Sequence, residues 1–346
     1  MIDEVGAPSR VAVIGCGYFA RFHHEAWSRL PRAQVVAVCD LDEDRAAEMA
    51  RMHPSSVTYT DAAKLLAEVE VDLIDIVSPP ATHGDLVRLA AKHGVDAICQ
   101  KPLAPSREEA AEIVAVAEGA GITLVVHENF RFQPWFQEIH RLVSSGRLGR
   151  IHSVAFRMRP GDGQGPTAYL DRQPYFQAMP RFLMHETGIH FVDTFRMILG
   201  EITGVFARLR KVNPVIAGED AGYVVFDFED GATGILDANR SNDHRAENKR
   251  LTMGEMWLEG EAGVLMLNGD GGLTWRPHGG EDAPHDYTWS NAGFGGDCVF
   301  ATQEYILSAL RSGEEPINSG RAYMRNVDIV EAIYRSSQEG RWISLV

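Results

Sequence analysis

Two side chains near the middle of the sequence have the spacing of a proton-transfer pair. Glu186 and His190 lie four residues apart in a predicted helix over about 186–199, and Asp193 falls on the same face. A carboxylate beside an imidazole can orient the ring and keep the pKa of the histidine near the working pH. The pattern therefore indicates general acid–base chemistry, with an ordinary surface ion pair as the alternative.

The same segment does not predict a metal site. His185 and His190 are five residues apart, which separates them by about 140° around a helix, whereas zinc-binding histidines of one helix share a face. The four cysteines show neither a paired motif nor a metal-binding spacing; they are Cys16, Cys39, Cys99 and Cys298. We therefore expect no metal cofactor and no disulfide framework.

A lysine follows a short apolar strand in the first half of the chain. Lys101 lies just beyond a predicted strand over 96–99, and Pro102 stiffens the turn. If that strand belongs to a parallel sheet, Lys101 lies at its carboxyl end, where such sheets bind ligands. A solvated surface lysine is the alternative, and the position of Lys101 alone does not decide between them.

An apolar strand near the N-terminus leads into a glycine turn and then into a helix. Gly15 allows the tight turn, Gly17 lets the backbone approach a pyrophosphate, and Ala20 keeps the helix close to the strand. The positive end of the helix then faces the phosphates. This context predicts a dinucleotide site, and a glycine turn that binds nothing is the alternative.

The second predicted strand ends in Asp40, where a carboxylate can accept both ribose hydroxyls of a dinucleotide. The same carboxylate would repel a 2′-phosphate. No arginine follows to bind such a phosphate, because the next residues are Leu41, Asp42 and Glu43. We therefore expect NAD to be preferred over NADP.

These motifs lie within an alternation of apolar strands and amphipathic helices. The predicted strands are 11–14, 35–39, 57–60, 71–78, 96–99 and 122–127. Ser106 and Glu109 form a capping-box pattern before a predicted helix over 107–118, and Gly121 follows its end. The alternation predicts an α/β fold with a doubly wound parallel sheet that is covered by helices on both faces.

After Gly149 the pattern changes to β-rich runs joined by short Gly, Asp and Asn turns, which favours an antiparallel sheet. The predicted strands are 151–159, 203–212, 221–228, 233–240, 256–260 and 264–267, and two helices over 298–311 and 322–336 close the chain. A loop rich in Gly, Pro, Gln and aromatic residues covers 160–181, and loops of this length are functional or disordered. We expect a nucleotide-binding domain over 1–128 and an α+β domain for substrate binding and oligomerisation over 129–346.

The composition agrees with a two-domain enzyme, because 346 residues are many for one hydrophobic core. The net charge of −15 argues against a nucleic-acid partner or an anionic membrane surface, which attract an excess of lysine and arginine. The sequence shows no N-terminal apolar signal segment and no apolar run near the ~20 residues of a membrane span. We therefore expect a cytoplasmic protein.

Together these motifs make the chain similar to the glucose–fructose oxidoreductase/inositol dehydrogenase (Gfo/Idh/MocA) family. The motifs that carry the resemblance are the Gly15 turn, Ser78-Pro79-Pro80-Ala81-Thr82-His83, Gln100-Lys101-Pro102, Asn129-Phe130-Arg131-Phe132, Glu186-Thr187-Gly188-Ile189-His190 and Glu331-Ala332-Ile333-Tyr334-Arg335-Ser336. Residues 127–135 and 169–176, with His185-Glu186-Thr187-Gly188, look most like the D-apiose dehydrogenase branch, which oxidises a branched pentose to its lactone. The resemblance implies a Rossmann domain, an open-faced and mostly antiparallel sheet that packs against a partner subunit, and a C-terminal helix that packs back towards the first domain.

The resemblance also implies a role for each matching residue. Lys101 matches the catalytic lysine, His190 the acid–base histidine, and Glu186 the residue beside it, where the family usually has aspartate. Gln100 stands where the family usually has glutamate. The implied cofactor-binding residues are Gly15, Gly17, Tyr18, Phe19, Ala20, Asp40, Ser78, Pro79, His83, Gln100, Lys101 and Asn129. The implied substrate-binding residues are Lys101, Asn129, Arg131, Tyr169, Gln173, Tyr175, Glu186 and His190, with Arg172 in the same loop.

The expected activity is oxidation of a hydroxyl of a sugar or cyclic polyol, with NAD as the hydride acceptor, in a homodimer or homotetramer. An aldopentose such as D-apiose is the favoured substrate, and an inositol-type polyol is the alternative. Two further functions occur on this fold, namely glycoside cleavage with a tightly held NAD and ligand sensing without turnover. The presence of both Lys101 and His190 weighs against a regulator.

Overall fold

The computed structural model describes residues 7–345. Contacts between residues divide the chain into two compact units. The first unit contains the chain up to Asn129 together with Val299–Arg325, and the second contains Phe130–Cys298 together with Asn326–Val346. The predicted division at 128/129 placed 299–325 in the second domain, whereas the contacts of this segment group it with the first unit.

The first unit is built on a six-stranded parallel sheet, as the alternating pattern predicted. Its strands are β1 (Ser9–Ile14), β2 (Ala33–Cys39), β3 (Val57–Tyr59), β4 (Leu73–Ile76), β5 (Asp96–Gln100) and β6 (Leu124–His127). The helices between them are α1 (Ala20–Arg29), α2 (Glu43–Ala50), α3 (Ala62–Glu68), α4 (His83–His93) and α5 (Arg107–Ala120). The Ser106 hydroxyl accepts a hydrogen bond from the backbone N–H of Glu109 at 3.2 Å, which confirms the predicted cap of α5.

The strand order is β3-β2-β1-β4-β5-β6. The chain leaves β1 towards β2 on one side, and the strand on its other side is β4. The order therefore reverses between β1 and β4, and open sheets of this kind bind ligands in the crevice at the carboxyl ends of the strands on either side of the reversal. The glycine turn follows β1 directly and occupies this position.

The second unit contains a nine-stranded sheet in the order β14-β13-β12-β11-β7-β10-β9-β8-β15. Its strands are β7 (Ile151–Met158), β8 (Ile202–Arg210), β9 (Ala221–Phe228), β10 (Thr233–Asn239), β11 (Gly254–Gly260), β12 (Gly263–Leu267), β13 (Leu273–Pro277), β14 (Ala283–His285) and β15 (Ile343–Ser344). The helices of the rest of the chain are α6 (Pro134–Ser144), α7 (Ile189–Leu199), α8 (Cys298–Ser312) and α9 (Gly320–Glu339). Only β7 and β10 pair in parallel, so the sheet is mixed but mostly antiparallel, as expected.

Four elements were absent from the sequence prediction: α6, β13, β14 and β15. The signal for α6 was present, since Pro134 occupies its first turn and the buried residues Trp135, Phe136, Ile139 and Leu142 recur at helical spacing. The last two strands contain three and two residues, which is too short for a periodic pattern.

The predicted helix over 186–199 is two segments in the structure. A π-helical segment covers Leu183–Gly188, and the regular α-helix α7 begins only at Ile189. The carboxylate of Glu219 accepts hydrogen bonds from the backbone N–H groups of Phe182 and Met184 at 3.2 and 3.0 Å. These bonds satisfy backbone N–H groups at the start of the π-helical segment. Because the acceptor Glu219 lies far along the chain, local periodicity did not predict this segment.

The long loop over 160–181 is packed rather than extended. A short 3₁₀ helix covers Pro174–Ala178 within it. Ala168, Tyr169 and Phe176 form a small buried cluster with Phe182 and Ile216. This loop therefore carries its own apolar core, which fixes the positions of its polar side chains. Within residues 7–345, no helix combines the length and the apolar character that crossing a bilayer requires.

The close contact between β7 and β11 predicts that a side chain at position 254 would destabilise the fold. A Cβ atom at Gly254 would lie 2.2 Å from the carbonyl oxygen of Arg157 in the neighbouring strand. We expect Gly254→Ala to lower the free energy of unfolding by about 2–3 kcal/mol, because the two strands must separate to admit the methyl group.

Gly119 is the matched control, because it lies in α5 and a Cβ atom there would meet nothing within 4 Å. Gly119→Ala should raise the free energy of unfolding by about 0.5–1 kcal/mol through helix propensity. Chemical denaturation of both variants measures the difference, and equal stabilities would contradict the strand-contact argument.

Candidate functional site

The glycine turn after β1 brings two backbones unusually close together. Gly15 has a φ of +101°, and a Cβ atom on it would lie 2.8 Å from the backbone nitrogen of Ser78 and the carbonyl oxygen of Val77. A side chain cannot be placed there without moving the loop after β4. Gly17 is different, because a Cβ atom on it would meet nothing within 4 Å. The open space beside Gly17 suits the approach of a pyrophosphate. Ala20, which is fully buried, begins α1 directly after this turn.

The carboxylate of Asp40, just after β2, faces the glycine turn. Its Oδ2 accepts the backbone N–H of Cys16 at 2.7 Å, and its Oδ1 accepts the backbone N–H of Asp42 at 2.9 Å. These bonds fix the orientation of the carboxylate and leave further lone pairs on each oxygen. Cys16 itself is not a nucleophile candidate, since burial and the neighbouring Asp40 raise the pKa of its thiol to about 12.

The loop after β4 contains the predicted residues Ser78, Pro79 and His83. The hydroxyl groups of Ser78 and Thr82 lie 2.7 Å apart. The buried His83 ring lies between two loops, with Nε2 at 2.9 Å from the Ser78 carbonyl oxygen and Nδ1 at 3.1 Å from that of Leu103. Burial lowers the pKa of His83. His83 therefore joins the loops that follow β4 and β5.

Gln100 is the last residue of β5, and the half-buried Lys101 follows it. The side-chain Oε1 of Gln100 accepts the backbone N–H of Lys101 at 3.0 Å. Asn129 lies just beyond β6 and is buried. Since all six strands run in parallel, the carboxyl ends that carry the glycine turn, Asp40, Lys101 and Asn129 lie along one edge of the sheet. The structure thus brings the predicted cofactor residues of the first unit to the same edge.

In the second unit, His190 lies at the start of α7 and is buried. Its ring stacks on that of Phe130, with centroids 3.8 Å apart and planes within 3° of parallel. Stacking of this kind fixes the plane of the imidazole.

Glu186 lies in the π-helical segment that precedes α7. Its Oε2 accepts a hydrogen bond from the Thr187 hydroxyl and lies 3.3 Å from Nη1 of Arg240. Arg240 Nη1 also donates to the Thr187 hydroxyl at 2.7 Å. The carboxylate of Glu186, four residues before His190, is therefore held by the buried Arg240, which directly follows β10.

Arg131, a predicted substrate residue, forms a bidentate ion pair inside the second unit. Its Nε and Nη2 donate to the two carboxylate oxygens of Asp193 at 2.6 and 2.8 Å. Asn326 also donates to Asp193, at 2.7 Å. Both charged side chains are largely buried, and the geometry is that of a strong, fixed pair. Arg131 thus holds α7 in place, and a substrate contact by Arg131 stays a prediction.

Two of the other predicted residues, Tyr169 and Arg172, lie beside one carboxylate, that of Asp162. Asp162 forms ion pairs with Arg172 and Arg240, at 2.8 Å for Nη2 of Arg240. The Arg172 and Arg240 guanidinium carbons lie 5.4 and 5.1 Å from the centre of the Tyr169 ring. Burial opposes ionisation of Asp162, but the two arginines outweigh it and keep the pKa of this carboxyl below its ordinary value.

The rim of this loop is more open. The Gln173 side-chain amide donates to the Tyr175 hydroxyl at 3.2 Å, and Tyr175 is 41% exposed. Gln173 and Tyr175 are therefore presented to solvent, whereas Tyr169 and Arg172 are held inside the charged cluster.

Asp162 and Arg240 were missed by the sequence analysis. Asp162 lies between two glycines in the loop, and Arg240 follows β10, so neither belongs to a periodic pattern or a motif. Their partnership joins positions 78 residues apart. Among residues 7–345, no three His, Cys, Asp or Glu side chains lie together in a way that could hold a metal ion.

A parallel sheet with a glycine turn at its point of strand reversal, together with a separate mixed sheet, defines the class of two-domain, nucleotide-binding oxidoreductases. Residues 9–128 match a family model described as the oxidoreductase family with an NAD-binding Rossmann fold, and residues 136–266 match the GFO/IDH/MocA C-terminal domain. The chain belongs to the Gfo/Idh/MocA family of NAD-binding oxidoreductases, as its sequence motifs predicted.

Two relatives are similar over nearly the whole chain. The D-apiose dehydrogenase of Paraburkholderia graminis is 35% identical over 96% of this chain and 89% of the relative. The D-apiose dehydrogenase of Rhizobium rhizogenes is 33% identical over 96% of each chain. A crystal structure of an oxidoreductase from Agrobacterium radiobacter, in complex with NAD⁺, L-tartaric acid and magnesium, has a TM-score of 0.88 and 32% identity over 98% of both chains.

The contrast between the two glycines gives a test of the dinucleotide site. Gly17→Ala should leave the melting temperature unchanged and weaken NAD binding about tenfold, because the methyl group has space in the fold but occupies the path of the pyrophosphate. Gly15→Ala should lower both the melting temperature and the affinity, because its methyl group collides with the backbone of 77–78.

Thermal unfolding and calorimetric titration with NAD measure the two effects separately. Full NAD affinity in Gly17→Ala would contradict the placement of the pyrophosphate beside this turn.

Proposed function

We propose that this protein is an NAD-dependent dehydrogenase that oxidises a hydroxyl group of a sugar or cyclic polyol, with an aldopentose such as D-apiose, oxidised to its lactone, as the first candidate. The observation that carries the proposal is the position of Lys101 on the edge of the sheet that also bears the glycine turn and Asp40. Similarity to two D-apiose dehydrogenases over 96% of the chain supports the choice of substrate.

The residues present fit a dinucleotide. Gly15 keeps the turn close to β4, Gly17 leaves open space, and the N-terminus of α1 offers its positive end to phosphate oxygens. The Asp40 carboxylate is already oriented by two backbone donors and can accept from ribose hydroxyls. Because the same carboxylate repels a 2′-phosphate, we propose that NAD is preferred over NADP.

When bound, NAD supplies the acceptor for a hydride from the substrate carbon. The chain contributes two groups to the same oxidation. A ring nitrogen of His190 takes the proton of the substrate hydroxyl, and Nζ of Lys101 donates a charge-assisted hydrogen bond to the oxygen as it gains negative charge. Stacking on Phe130 holds the plane of the His190 ring during this transfer.

Glu186 is proposed to position His190 by fixing the segment that precedes α7. Arg240 and the Thr187 hydroxyl stabilise the carboxylate form of Glu186. The ion pair with Arg240 fixes the segment that leads into α7, and with it the backbone that carries His190. The side chain of glutamate, which is one methylene longer than that of the family's usual aspartate, is suited to reaching Arg240 from this position.

We also propose that the open face of the nine-stranded sheet joins subunits into a homodimer or homotetramer. Strand pairing places six apolar side chains opposite one another across six strands: Phe206, Val225, Ile235, Ala155, Trp257 and Met266. Ile235 is 40% and Trp257 36% exposed. A continuous apolar row of this kind on a sheet favours packing against a second copy about a two-fold axis. The cytoplasmic location expected from the composition stays a prediction.

The activity is tested by NADH formation with NAD and with NADP, across aldopentoses including D-apiose, hexoses and inositols. We expect turnover of one pentose with NAD, and a fall in kcat of about 10²–10⁴-fold in Lys101→Ala and in His190→Ala. Lys92→Ala and His93→Ala are matched controls, because both residues are exposed at the end of α4.

An inositol as the best substrate would move the assignment to a polyol dehydrogenase. Tight NAD binding without turnover of any substrate would instead favour a bound-cofactor glycoside-cleaving enzyme or a regulator.

The subunit contact is tested by Ile235→Glu combined with Trp257→Glu. We expect the pair to shift the oligomer to monomer in sedimentation velocity, because two carboxylates interrupt the apolar row at its centre. Ile317→Glu is the control, since Ile317 is 51% exposed but lies outside the sheet. An unchanged oligomer in the double variant would place the contact elsewhere.

A further inference from the structure

A chain of buried polar side chains ends at the backbone of Lys101. Asp75 on β4, His23 on α1 and Gln100 on β5 are all buried, and they lie within the first unit. His23 Nδ1 lies 2.7 Å from Oδ2 of Asp75, and His23 Nε2 lies 2.8 Å from Nε2 of Gln100. The other end of the Gln100 side chain, Oε1, accepts the Lys101 N–H.

The direction of each hydrogen bond follows from the backbone. The N–H of Lys101 can only donate, so the Gln100 atom facing it must be the oxygen and the atom facing His23 must be the amide nitrogen. The amide nitrogen can only donate, so Nε2 of His23 accepts and carries no proton. His23 is therefore neutral, with its single proton on Nδ1 and directed at Asp75. The Gln100 nitrogen also lies 3.5 Å from Nδ1 of His127.

Asp75 fixes the start of this chain. Its Oδ2 accepts the indole N–H of Trp27 at 2.7 Å as well as the His23 proton, and the Gln303 amide lies at 3.5 Å. Oδ2 of Asp75 thus faces two N–H donors, which favours the carboxylate form. As a carboxylate Asp75 can only accept, which selects the Nδ1–H form of His23.

We propose that His23 and Asp75 are positioning residues for the reaction: they lock the Gln100 amide, and the amide fixes the backbone that presents Lys101. The inference rests on the proposed role of Lys101 as the lysine that contacts the reacting oxygen. It also accounts for glutamine at this position, because a carboxylate at position 100 would face the lone pair of His23 Nε2. A carboxylate there requires a second proton on His23, whereas an amide does not.

No hydrogen bond of this series requires a second proton on His23, because Asp75 accepts from Nδ1 and the Gln100 amide donates to Nε2. The groups that face His23 are Asp75 from β4, Gln100 from β5, and the ring of His127 from β6 at a centroid distance of 4.2 Å. From α8 the uncharged Gln303 amide lies 3.5 Å from the His23 carbonyl oxygen. Asp75 is thus the only carboxylate among these groups.

Two variants at position 100 separate the roles of the amide. Gln100→Glu keeps the size and the acceptor for Lys101 but requires an imidazolium at His23. We expect a loss of activity on the alkaline side that the wild type does not show, as His23 gives up its second proton. Gln100→Met removes both hydrogen bonds, and we expect kcat to fall about tenfold or more at all pH values.

Nitrogen-15 NMR of the full protein, labelled at histidine, reports the protonation state and tautomer of the His23 ring and does not depend on enzyme activity. The His23 signals are those lost in His23→Asn. In the wild type we expect the Nδ1–H tautomer that the hydrogen bonds select, and in Gln100→Glu an imidazolium. An imidazolium or an Nε2–H form in the wild type would overturn the proposal.

The control is His24→Asn, the next residue on α1. His24 is also buried, but its ring pairs with His53 at 3.0 Å and lies outside the chain of bonds that reaches Gln100. Burial and the neighbouring His53 lower the pKa of His24 to about 3, so it is neutral as well. His24→Asn should add no alkaline loss of activity, and the same loss there would refute a specific role for His23.

The experiments distinguish failure of the proposed function from failure of the positioning role of His23 and Asp75. If the wild type turns over no substrate, the proposed function fails, and the positioning role fails with it even where NMR shows the expected tautomer. If the wild type is active but Gln100→Glu shows a neutral His23 and an unchanged pH profile, the proposed function stands and the positioning role is refuted. Should Gln100→Met not fold, Gln100→Glu still gives this decision because it preserves the size of the side chain.

Discussion

The first unit depends on one close approach of backbones, where the turn at Gly15 meets the start of the loop after β4. With no side chain at this position, the turn lies within contact of 77–78, so the ends of β1 and β4 stay adjacent. That adjacency also holds α1 close to the sheet, which allows His23 on α1 to reach Asp75 on β4. A side chain at Gly15 would therefore disturb both the predicted phosphate contact and the buried polar chain that leads to Lys101.

In the second unit, buried ion pairs hold segments together that are distant in the sequence. Asp162, Arg172, Arg240 and Glu186 contribute two negative and two positive charges to one largely buried cluster, so their formal charges cancel. Each ion pair joins segments that local secondary structure does not connect: the loop over 160–181, the end of β10 and the π-helical segment. Removing one member would leave a buried charge uncompensated, which costs more than the pair contributes. The cluster therefore fixes the relative positions of Tyr169 and Glu186.

The sequence predicted the fold well where a repeating local pattern specified it. The six parallel strands, the cap at Ser106 and strand β9 were all recognised from periodicity and turn residues. The π-helical segment and the packed loop were not, because Glu219 and Ile216, which stabilise them, come from later in the chain. The same distinction applies to the candidate site. Lys101 and the glycine turn follow strands directly, whereas the ion pair of Arg131 with Asp193 and the position of Arg240 exist only after distant segments meet.

Long-range contacts also decide what a motif residue does. The spacing predicted Glu186, His190 and Asp193 on one helix face, whereas Glu186 lies in the π-helical segment before α7. Each of the three side chains has a different neighbour: Arg240, Phe130 and Arg131. Likewise, the substitution of an amide for a carboxylate at Gln100 looks in the sequence like the loss of a charge. In the structure the amide completes a set of donors and acceptors in which His23 is neutral and Asp75 carries the negative charge. Charge at this edge of the sheet is thus set by the whole series of hydrogen bonds, and the residue type at position 100 alone does not determine it.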